Sequence, residues 1–200
     1  MTTGKQAGPP AAEDRPQRPM RADARRNYER LLTEARQAFV VHGTEAPLED
    51  IARHAGVGIG TLYRHFPNRY ALMDAVFEEE TLALTARAGS LLEAESPITA
   101  LQEWLRAYAV YSAQYRGLAV ALMEADEGRM PACKGALTAA GDQLLVRAQQ
   151  AGEVRADVAV ADIMRLTSAV VVAAERNPTD HRGTFQRLMD LTLDGYRARP

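Results

Sequence analysis

Four polar side chains of different chemistry lie within one short stretch in the first third of the chain. They are Thr61, Tyr63, Arg64 and His65, which supply a hydroxyl, a phenol, a guanidinium and an imidazole. If this stretch is helical, Leu62 and Phe66 share one face and point inward, which leaves the polar side chains facing outward. Groups of these types form hydrogen bonds with the phosphate oxygens and base edges of nucleic acid. Their grouping indicates a nucleic-acid contact surface.

The residues just before this stretch predict a second short helix, joined to it by a glycine turn. Residues 47–55 place four apolar side chains on one face at helical spacing. Gly56 ends this helix, because glycine adopts the left-handed conformation without steric cost. Gly58 begins the following helix and Pro67 ends it. Two helices joined in this way form a helix-turn-helix, whose second helix lies in the major groove of DNA.

This part of the chain resembles the TetR family of bacterial repressors over residues 24–76. The matching positions are Ile51-Ala52, Ala55-Gly56-Val57, Gly60-Thr61-Leu62-Tyr63, His65-Phe66-Pro67-Asn68-Arg69 and Ala71-Leu72. Pro47 and Gly58 depart from the pattern, because many family members carry Ser or Thr at these positions. We therefore expect both short helices to lack a side-chain N-cap.

The resemblance implies which residues contact DNA. The expected base-reading residues are Ile59, Gly60 and Arg64, with Arg64 the best donor to a guanine. The expected phosphate contacts are Thr61, Tyr63, His65 and Arg69. The remaining residues expected in the interface are Arg25, Pro47, Leu48 and Gly58. The alternative for Tyr63 and His65 is that they only pack within the DNA-binding unit.

Composition and charge are consistent with a DNA-binding protein and exclude several other classes. The net charge of −2 divides into +3 over residues 1–70, with 11 Lys and Arg against 8 Asp and Glu, and −5 over residues 71–200, with 13 against 18. No apolar run approaches the ~20 residues of a membrane span, and no secretory leader is recognisable, so we expect a cytoplasmic protein. Cys133 is the single cysteine, and the four histidines lack metal-ligand spacing. We expect no metal, no cofactor and no enzymatic activity.

The helical periodicity predicts an all-α protein with three parts. Residues 1–21 are expected to be a disordered tail, residues 22–68 a three-helix DNA-binding domain, and residues 69–200 a helical ligand-binding and dimerisation domain. In the last part we expect Gly117 to interrupt a helix that begins near Pro97, a short helix over 118–124, and a loop over 128–131. Two strongly apolar helices near the C-terminus predict a homodimer held by a four-helix bundle.

A small-molecule pocket is expected within the second domain. The residues expected to line it are Trp104, Tyr108, Tyr111, Tyr115, Met123, Leu137 and Leu166. Aromatic walls with few polar groups suit a flat or apolar ligand, although each of these residues taken singly is more typical of an ordinary core. The resemblance implies a ligand-responsive regulator of transcription, a repressor that a small molecule releases from a palindromic operator. Two alternatives are a helical small-molecule-binding module and a nonspecific DNA-binding protein.

Overall fold

A computed structural model describes residues 17–125 and 130–198, and these residues form eight α-helices with one short 3₁₀ turn. The helices are α1 Gln17–His42, α2 Leu48–His54, α3 Ile59–His65, α4 Arg69–Leu91, α5 Pro97–Ala125, α6 Met130–Gln150, α7 Val160–Glu175 and α8 His181–Tyr196. The 3₁₀ turn is Gly43–Glu45, between α1 and α2. Across the described ranges the nearest approach to a β-structure is an isolated bridge between Val154 and Arg197. The predicted all-α fold is confirmed.

The first hydrophobic core joins the three N-terminal helices to parts of α4 and α5. Within α1–α3 it contains Phe39, Ile51 and Leu62, all almost fully buried. Its members from the following helices are Leu72, Met73, Val76 and Phe77 of α4, and Tyr115, Leu118 and Leu122 of α5. We call α1–α3 the head; its core is completed by the N-terminal half of α4 and the C-terminal part of α5.

The second core lies at the opposite end of α4 and α5 and is closed by α6, α7 and α8. Its largest member is Trp104, which is fully buried and donates its indole N–H to the carbonyl of Leu84 at 3.1 Å. Gly141 of α6 lies directly against the indole ring, because a Cβ built on Gly141 would approach two ring carbons to 2.7 Å. Since α4 and α5 contribute to both cores, these two helices connect the head to the rest of the protein.

Two element boundaries differ from the sequence-based expectation. Helix α1 begins at Gln17, so the tail predicted over residues 1–21 overlaps its first turns, and residues 1–16 lie outside the described residues. Pro19 is compatible with this start, because the first turn of a helix leaves its backbone N–H groups without intrahelical partners. Helix α6 begins at Met130. The predicted loop over 128–131 therefore falls partly on helix, and partly on residues 126–129, which the structure does not describe.

Gly117 does not interrupt α5, which runs unbroken from Pro97 to Ala125. A glycine in an exposed helical position costs only ~1 kcal/mol relative to alanine. Tyr115, Leu118 and Leu122 on either side of it are buried in the head core, and burial of side chains this large contributes more than the glycine costs. The short helix predicted over 118–124 is the C-terminal part of α5.

Candidate nucleic-acid interface and effector cavity

The turn between α2 and α3 has the geometry that the glycine pattern predicted. Gly56 has a φ of 70°, in the left-handed region. The backbone N–H of Val57 donates to the carbonyl of Ala52 at 3.0 Å, and that of Gly56 donates to the carbonyl of Arg53 at 3.1 Å. These two hydrogen bonds form a Schellman motif, which satisfies the last carbonyl groups of α2 and turns the chain sharply into α3.

Helix α3 is fixed to the head by one face and is open on the other. Leu62 is fully buried, and Phe66 directly after the helix is nearly so. Ile59, Tyr63 and Arg64 lie on the opposite face and are exposed. Such a helix presents its outer side chains to a partner while its inner side chains hold its position.

Neither short helix has a side-chain N-cap, as the sequence predicted. Pro47 precedes α2 and Gly58 precedes α3, and in both cases no side chain accepts a hydrogen bond from the first turn. Asn68 before α4 does form such a cap, accepting from the backbone N–H of Ala71 at 2.9 Å.

Most residues expected in the DNA interface are exposed or half-buried, and six of them belong to α3. The exposed residues of the set are Arg25, Pro47, Gly58, Ile59, Gly60, Tyr63 and Arg64, and the half-buried ones are Thr61 and His65. Arg25 forms an i,i+4 ion pair with Glu29 at 3.0 Å. Arg64 forms no hydrogen bond or ion pair within the part of the chain that the structure describes, so its guanidinium is available to a partner.

Leu48 differs from the exposed residues of the predicted interface because its side chain is buried. It is only 5% exposed and belongs to the head core. At the first position of α2 its side chain points inward beside Ile51, since residues three apart share one face of a helix. The side chain therefore packs in the head core, and a contact between Leu48 and DNA stays a prediction.

His65 is held by aromatic neighbours in addition to its position on α3. Its ring contacts the edge of Tyr28 from α1, with 5.9 Å between ring centroids, and Tyr28 in turn stacks on Phe66 at 5.2 Å. Burial raises the pKa of the Tyr28 phenol, and the nearby carboxylates Glu78, Glu79 and Asp74 raise it further. The packing alternative therefore describes part of what His65 does, whereas Tyr63 remains 46% exposed.

Arg69 is half-buried, and part of its guanidinium is engaged inside the protein. Nη1 donates to the carbonyl of Thr44 at 2.7 Å and to the carbonyl of Ala46 at 2.5 Å. These carbonyls belong to the turn that connects α1 to α2. Arg69 thus ties the start of α4 to the head, and the phosphate contact predicted for it stays a prediction.

A cavity of about 420 Å³ lies between α4, α5, α6 and α7. Of the seven residues expected to line it, Tyr108, Tyr111, Tyr115 and Leu137 do so. The aromatic rings of α5 follow one another along the helix, with centroids 6.3 Å apart for Tyr108 and Tyr111 and 5.6 Å apart for Tyr111 and Tyr115. These distances place three phenol rings side by side along the helix.

The other three expected residues lie elsewhere. Trp104 is behind the cavity in the second core, stacked on Tyr108 with 5.7 Å between centroids. Met123 and Leu166 are about half exposed on the outer surface. The helical periodicity predicted the spacing of these three residues along their helices. It did not predict which face of each helix lines the cavity.

Sequence reasoning missed the polar residues of the cavity. These are Ser112 and Arg116 of α5, Lys134 and Thr138 of α6, and Arg165 and Ser168 of α7, and the missed apolar residues are Phe77, Ala119, Ala161 and Met164. Ser112 and Arg116 follow Tyr108 at four-residue intervals, so the helical spacing of α5 was a usable signal for them. For α6 and α7 no signal within the sequence identified the facing helix.

Two side chains belong both to the cavity wall and to the head core. Phe77 of α4 and Tyr115 of α5 line the cavity and are 5% and 2% exposed. Burial, the negative charge of Glu80 and a hydrogen bond with that carboxylate raise the pKa of Tyr115 to about 12, so its phenol stays protonated at neutral pH. Glu80 also forms an ion pair with Arg36 of α1. The cavity is therefore linked to the first helix of the head by packing and by this polar chain.

The fold and these two sites define the class of protein: a helical regulator with an N-terminal helix-turn-helix and a cavity in its C-terminal region. Residues 31–76 match the family model described as bacterial regulatory proteins of the tetR family, and residues 96–198 match the model of the C-terminal domain of SbtR-like transcriptional regulators.

Solved structures and a curated protein agree with these matches. The TetR transcriptional regulator SCO0520 of Streptomyces coelicolor is 33% identical, with 86% of this chain and 99% of that chain covered and a TM-score of 0.73. The TetR transcription regulatory protein of Mycobacterium vanbaalenii is 38% identical, with 90% and 100% covered and a TM-score of 0.70. The HTH-type transcriptional regulator SAR0097 of Staphylococcus aureus is 36% identical over 67 residues, which span 32% of this chain and 35% of that protein.

The chain belongs to the TetR family of bacterial transcriptional regulators. It is a DNA-binding regulator of transcription and not an enzyme. Over the described ranges, each helix is too short or too polar to cross a membrane.

Proposed function

We propose that the protein is a ligand-responsive repressor, which binds a palindromic operator as a homodimer and is released when a small molecule enters the cavity. The observation that carries this proposal is the shared wall. Phe77 and Tyr115 line the cavity and also pack in the head core. A ligand that displaces either ring must repack the head, because well-packed interiors transmit changes in shape.

The exposed face of α3 is the proposed reading surface. Arg64 has an uncommitted guanidinium and an exposed position, so we assign it to a guanine edge, with Ile59 and Gly60 beside it. A Cβ built on Gly60 would meet no heavy atom within 4 Å. The backbone does not require glycine there, and its small size leaves room for a close approach of DNA.

The proposed phosphate contacts surround this face. Thr61, Tyr63 and His65 carry donors on α3, and Arg25 adds an exposed cation from α1. Pro47 and Gly58 lie at the exposed starts of α2 and α3, and we assign them to backbone contacts with phosphates. Contacts of this kind fix the orientation of a protein on the duplex but do not read its sequence.

The proposed domain division follows the two cores, except that the head core extends beyond residue 68. Residues 22–68 carry the DNA-binding surface and residues 69–200 the cavity and the dimer interface. The head core nevertheless includes side chains from α4 and α5. This arrangement favours coupling between the two parts, and effector coupling in proteins is typically worth 5- to 150-fold in affinity.

The outer faces of α7 and α8 are the proposed dimer interface. Exposed apolar side chains recur along α7 at helical spacing, namely Leu166, Ala169, Val172 and Ala173. Leu191 of α8 is 70% exposed and borders the same shallow groove as Leu166. A stripe of this kind is typical of helices that pack against a second copy. Two heads in such a dimer would meet half-sites about 34–36 Å apart or a multiple of that distance.

The dimer is tested by Leu191→Glu, which places a charge in the proposed interface. We expect a dimer for the unmodified chain and a monomer for the variant in sedimentation velocity, with unchanged helical circular dichroism. Leu82→Glu, at a position of α4 that is 60% exposed and outside this surface, is the matched control. A variant at Leu191 that stays dimeric would contradict the assignment.

The DNA-binding role is tested by selecting duplexes from a random pool with the full chain, followed by affinity measurements at one salt concentration. We expect a palindromic consensus in the selected duplexes. Equal affinity for selected and random duplexes would instead favour the nonspecific DNA-binding protein, and no affinity for either would favour a small-molecule-binding module. Because the proposed DNA target is bacterial, we place the protein in the cytoplasm.

A further inference from the structure

The cavity is lined by cations and, among the described residues, by no carboxylate. The cations are Arg116, Lys134 and Arg165. Two of them are neutralised from outside the cavity: Arg116 by Glu175, with N–O distances of 2.5 and 2.6 Å, and Arg165 by Asp162 at 3.0 Å. The Lys134 ammonium has no hydrogen bond or ion pair within the described chain, and it is the cation that a ligand could engage without displacing a partner.

Three hydroxyl groups lie on the wall that α5 and α7 form together. Ser112 donates to Ser168 at 3.3 Å, and the Tyr108 hydroxyl is also 3.3 Å from Ser168. Hydrogen bonds between hydroxyl groups are usually 2.7–2.8 Å long, so these contacts are loose. Ser168 donates its own hydroxyl proton to the carbonyl of Met164 at 3.0 Å, so it is the acceptor in both contacts. A ligand oxygen can take its place as the acceptor for Ser112 and Tyr108 at little cost.

The remaining wall is aromatic and apolar. It includes the large side chains of Phe77, Tyr111, Tyr115 and Met164. At the ~30 Å³ that one water occupies in the liquid, a cavity of about 420 Å³ accommodates roughly 14 atoms of that size. The cavity therefore fits a small amphipathic molecule with an apolar body and a single polar group.

We propose that the effector is an amphipathic carboxylate of roughly 10–15 non-hydrogen atoms, whose anionic group binds Lys134 and the hydroxyls of Tyr108 and Ser112. This inference rests on the proposed role of the cavity as the effector site. A carboxylate accepts hydrogen bonds only, and all three of these groups can donate. A cationic ligand would instead face the unpaired Lys134 ammonium, with no carboxylate among the described residues of the wall.

The test compares two probes that differ only in charge, 4-phenylbutyrate and its amide 4-phenylbutanamide. Each has about 12 non-hydrogen atoms, within the size that the cavity admits. Binding to the full chain is measured by isothermal titration calorimetry. We expect the carboxylate to bind at least about tenfold more tightly than the amide, because hydrogen bonds to charged groups are the stronger ones. Added salt should reduce this preference, since the site is open to solvent at Lys134.

The variant Lys134→Gln removes the charge and keeps a hydrogen-bond donor. We expect its preference for the carboxylate to fall to within about threefold, while Arg182→Gln, an exposed position on α8 outside the cavity, keeps the full preference. Amide binding should be equal in all three proteins, which shows that the apolar wall is intact.

Three results would overturn the inference. They are an amide that binds as tightly as the carboxylate, a Lys134→Gln variant that keeps the preference, and a carboxylate that does not bind at about 10 mM. The selected operator is then added to the same samples, and its release is measured. This measurement distinguishes a wrong effector class from a wrong repressor function. Release of the operator by the amide alone would leave the repressor proposal standing, whereas a protein that binds no operator would refute that proposal whatever the carboxylate does.

Discussion

Replacing Arg69 with alanine should destabilise the head. The guanidinium donates to the carbonyl groups of Thr44 and Ala46, and Ala46 is fully buried. A hydrogen bond from a charged donor contributes ~1.5–3 kcal/mol, and a buried carbonyl left without a partner costs ~1–3 kcal/mol. Arg69 is only partly buried, so water replaces some of what is lost. We expect Arg69→Ala to lower the free energy of unfolding by about 2–4 kcal/mol.

The assay is urea unfolding followed by circular dichroism, at one protein concentration because the proposed dimer makes stability concentration-dependent. Arg64→Ala is the matched control, since Arg64 is exposed and should change stability by less than about 0.5 kcal/mol. Arg69→Lys keeps the charge but lacks the planar fork, so it should recover only part of the loss. If Arg69→Ala were as stable as the parent protein and yet bound all DNA weakly, the phosphate role would be right and the structural role wrong.

Three further predictions concern stability. Gly141→Ala should destabilise the protein by about 0.5–2 kcal/mol, because overpacking against Trp104 outweighs the gain in helix propensity; Gly117→Ala, with open space around its Cβ, should stabilise it by about 0.5–1 kcal/mol in the same urea titration. Gly58→Ser, which supplies the absent N-cap at an ordinary φ of −71°, should raise the thermal midpoint through a gain of about 0.5 kcal/mol. Because the folded pKa of Tyr115 is raised from 10.0 to about 12, stability should fall as the pH rises through that interval, and Tyr115→Phe should make this fall shallower in unfolding curves taken at successive pH values.

A higher stability for Gly141→Ala than for Gly117→Ala would contradict the close packing of α6 on the indole ring. An N-cap variant at Gly58 with a lower thermal midpoint would mean that the start of α3 is strained in a way its φ does not indicate. A pH dependence that is identical in the Tyr115→Phe variant would mean that Tyr115 titrates normally.

The head was predictable because its signals are local. Gly56 followed by Val57 specifies a Schellman turn through backbone geometry alone, and that turn is present. Leu62 and Phe66 are apolar and four residues apart, so they share one face of a helix and are expected to point inward. Both are buried. Chemistry of this kind depends on near neighbours in the chain, so the sequence contains most of the information.

Other features depend on contacts between residues that are far apart in the chain, and local sequence patterns do not predict such contacts. Gly117 would end an isolated helix, but the burial of Tyr115 and Leu118 in the head core keeps α5 continuous. Arg69 has the type and position of a phosphate ligand, and only the tertiary fold places two carbonyl groups from residues more than twenty positions earlier against it.

The cavity was half predictable for the same reason. The periodicity of α5 identified Tyr108 and Tyr111, which line it. It gave no information on Lys134 or Ser168, because these belong to helices whose packing against α5 is set by the whole core. A face of a helix can be read from spacing, whereas the helix that covers that face cannot.

The account depends most directly on Arg64 reading a base from the exposed face of α3. The measurement is the ratio of affinities for the selected operator and a scrambled duplex, at equal salt, for the parent chain and Arg64→Ala. We expect a ratio of about 10³ or more for the parent chain, and a loss of about 1–3 kcal/mol of discrimination in the variant, confined to one base pair in each half-site. Equal losses of affinity on both duplexes would contradict the account.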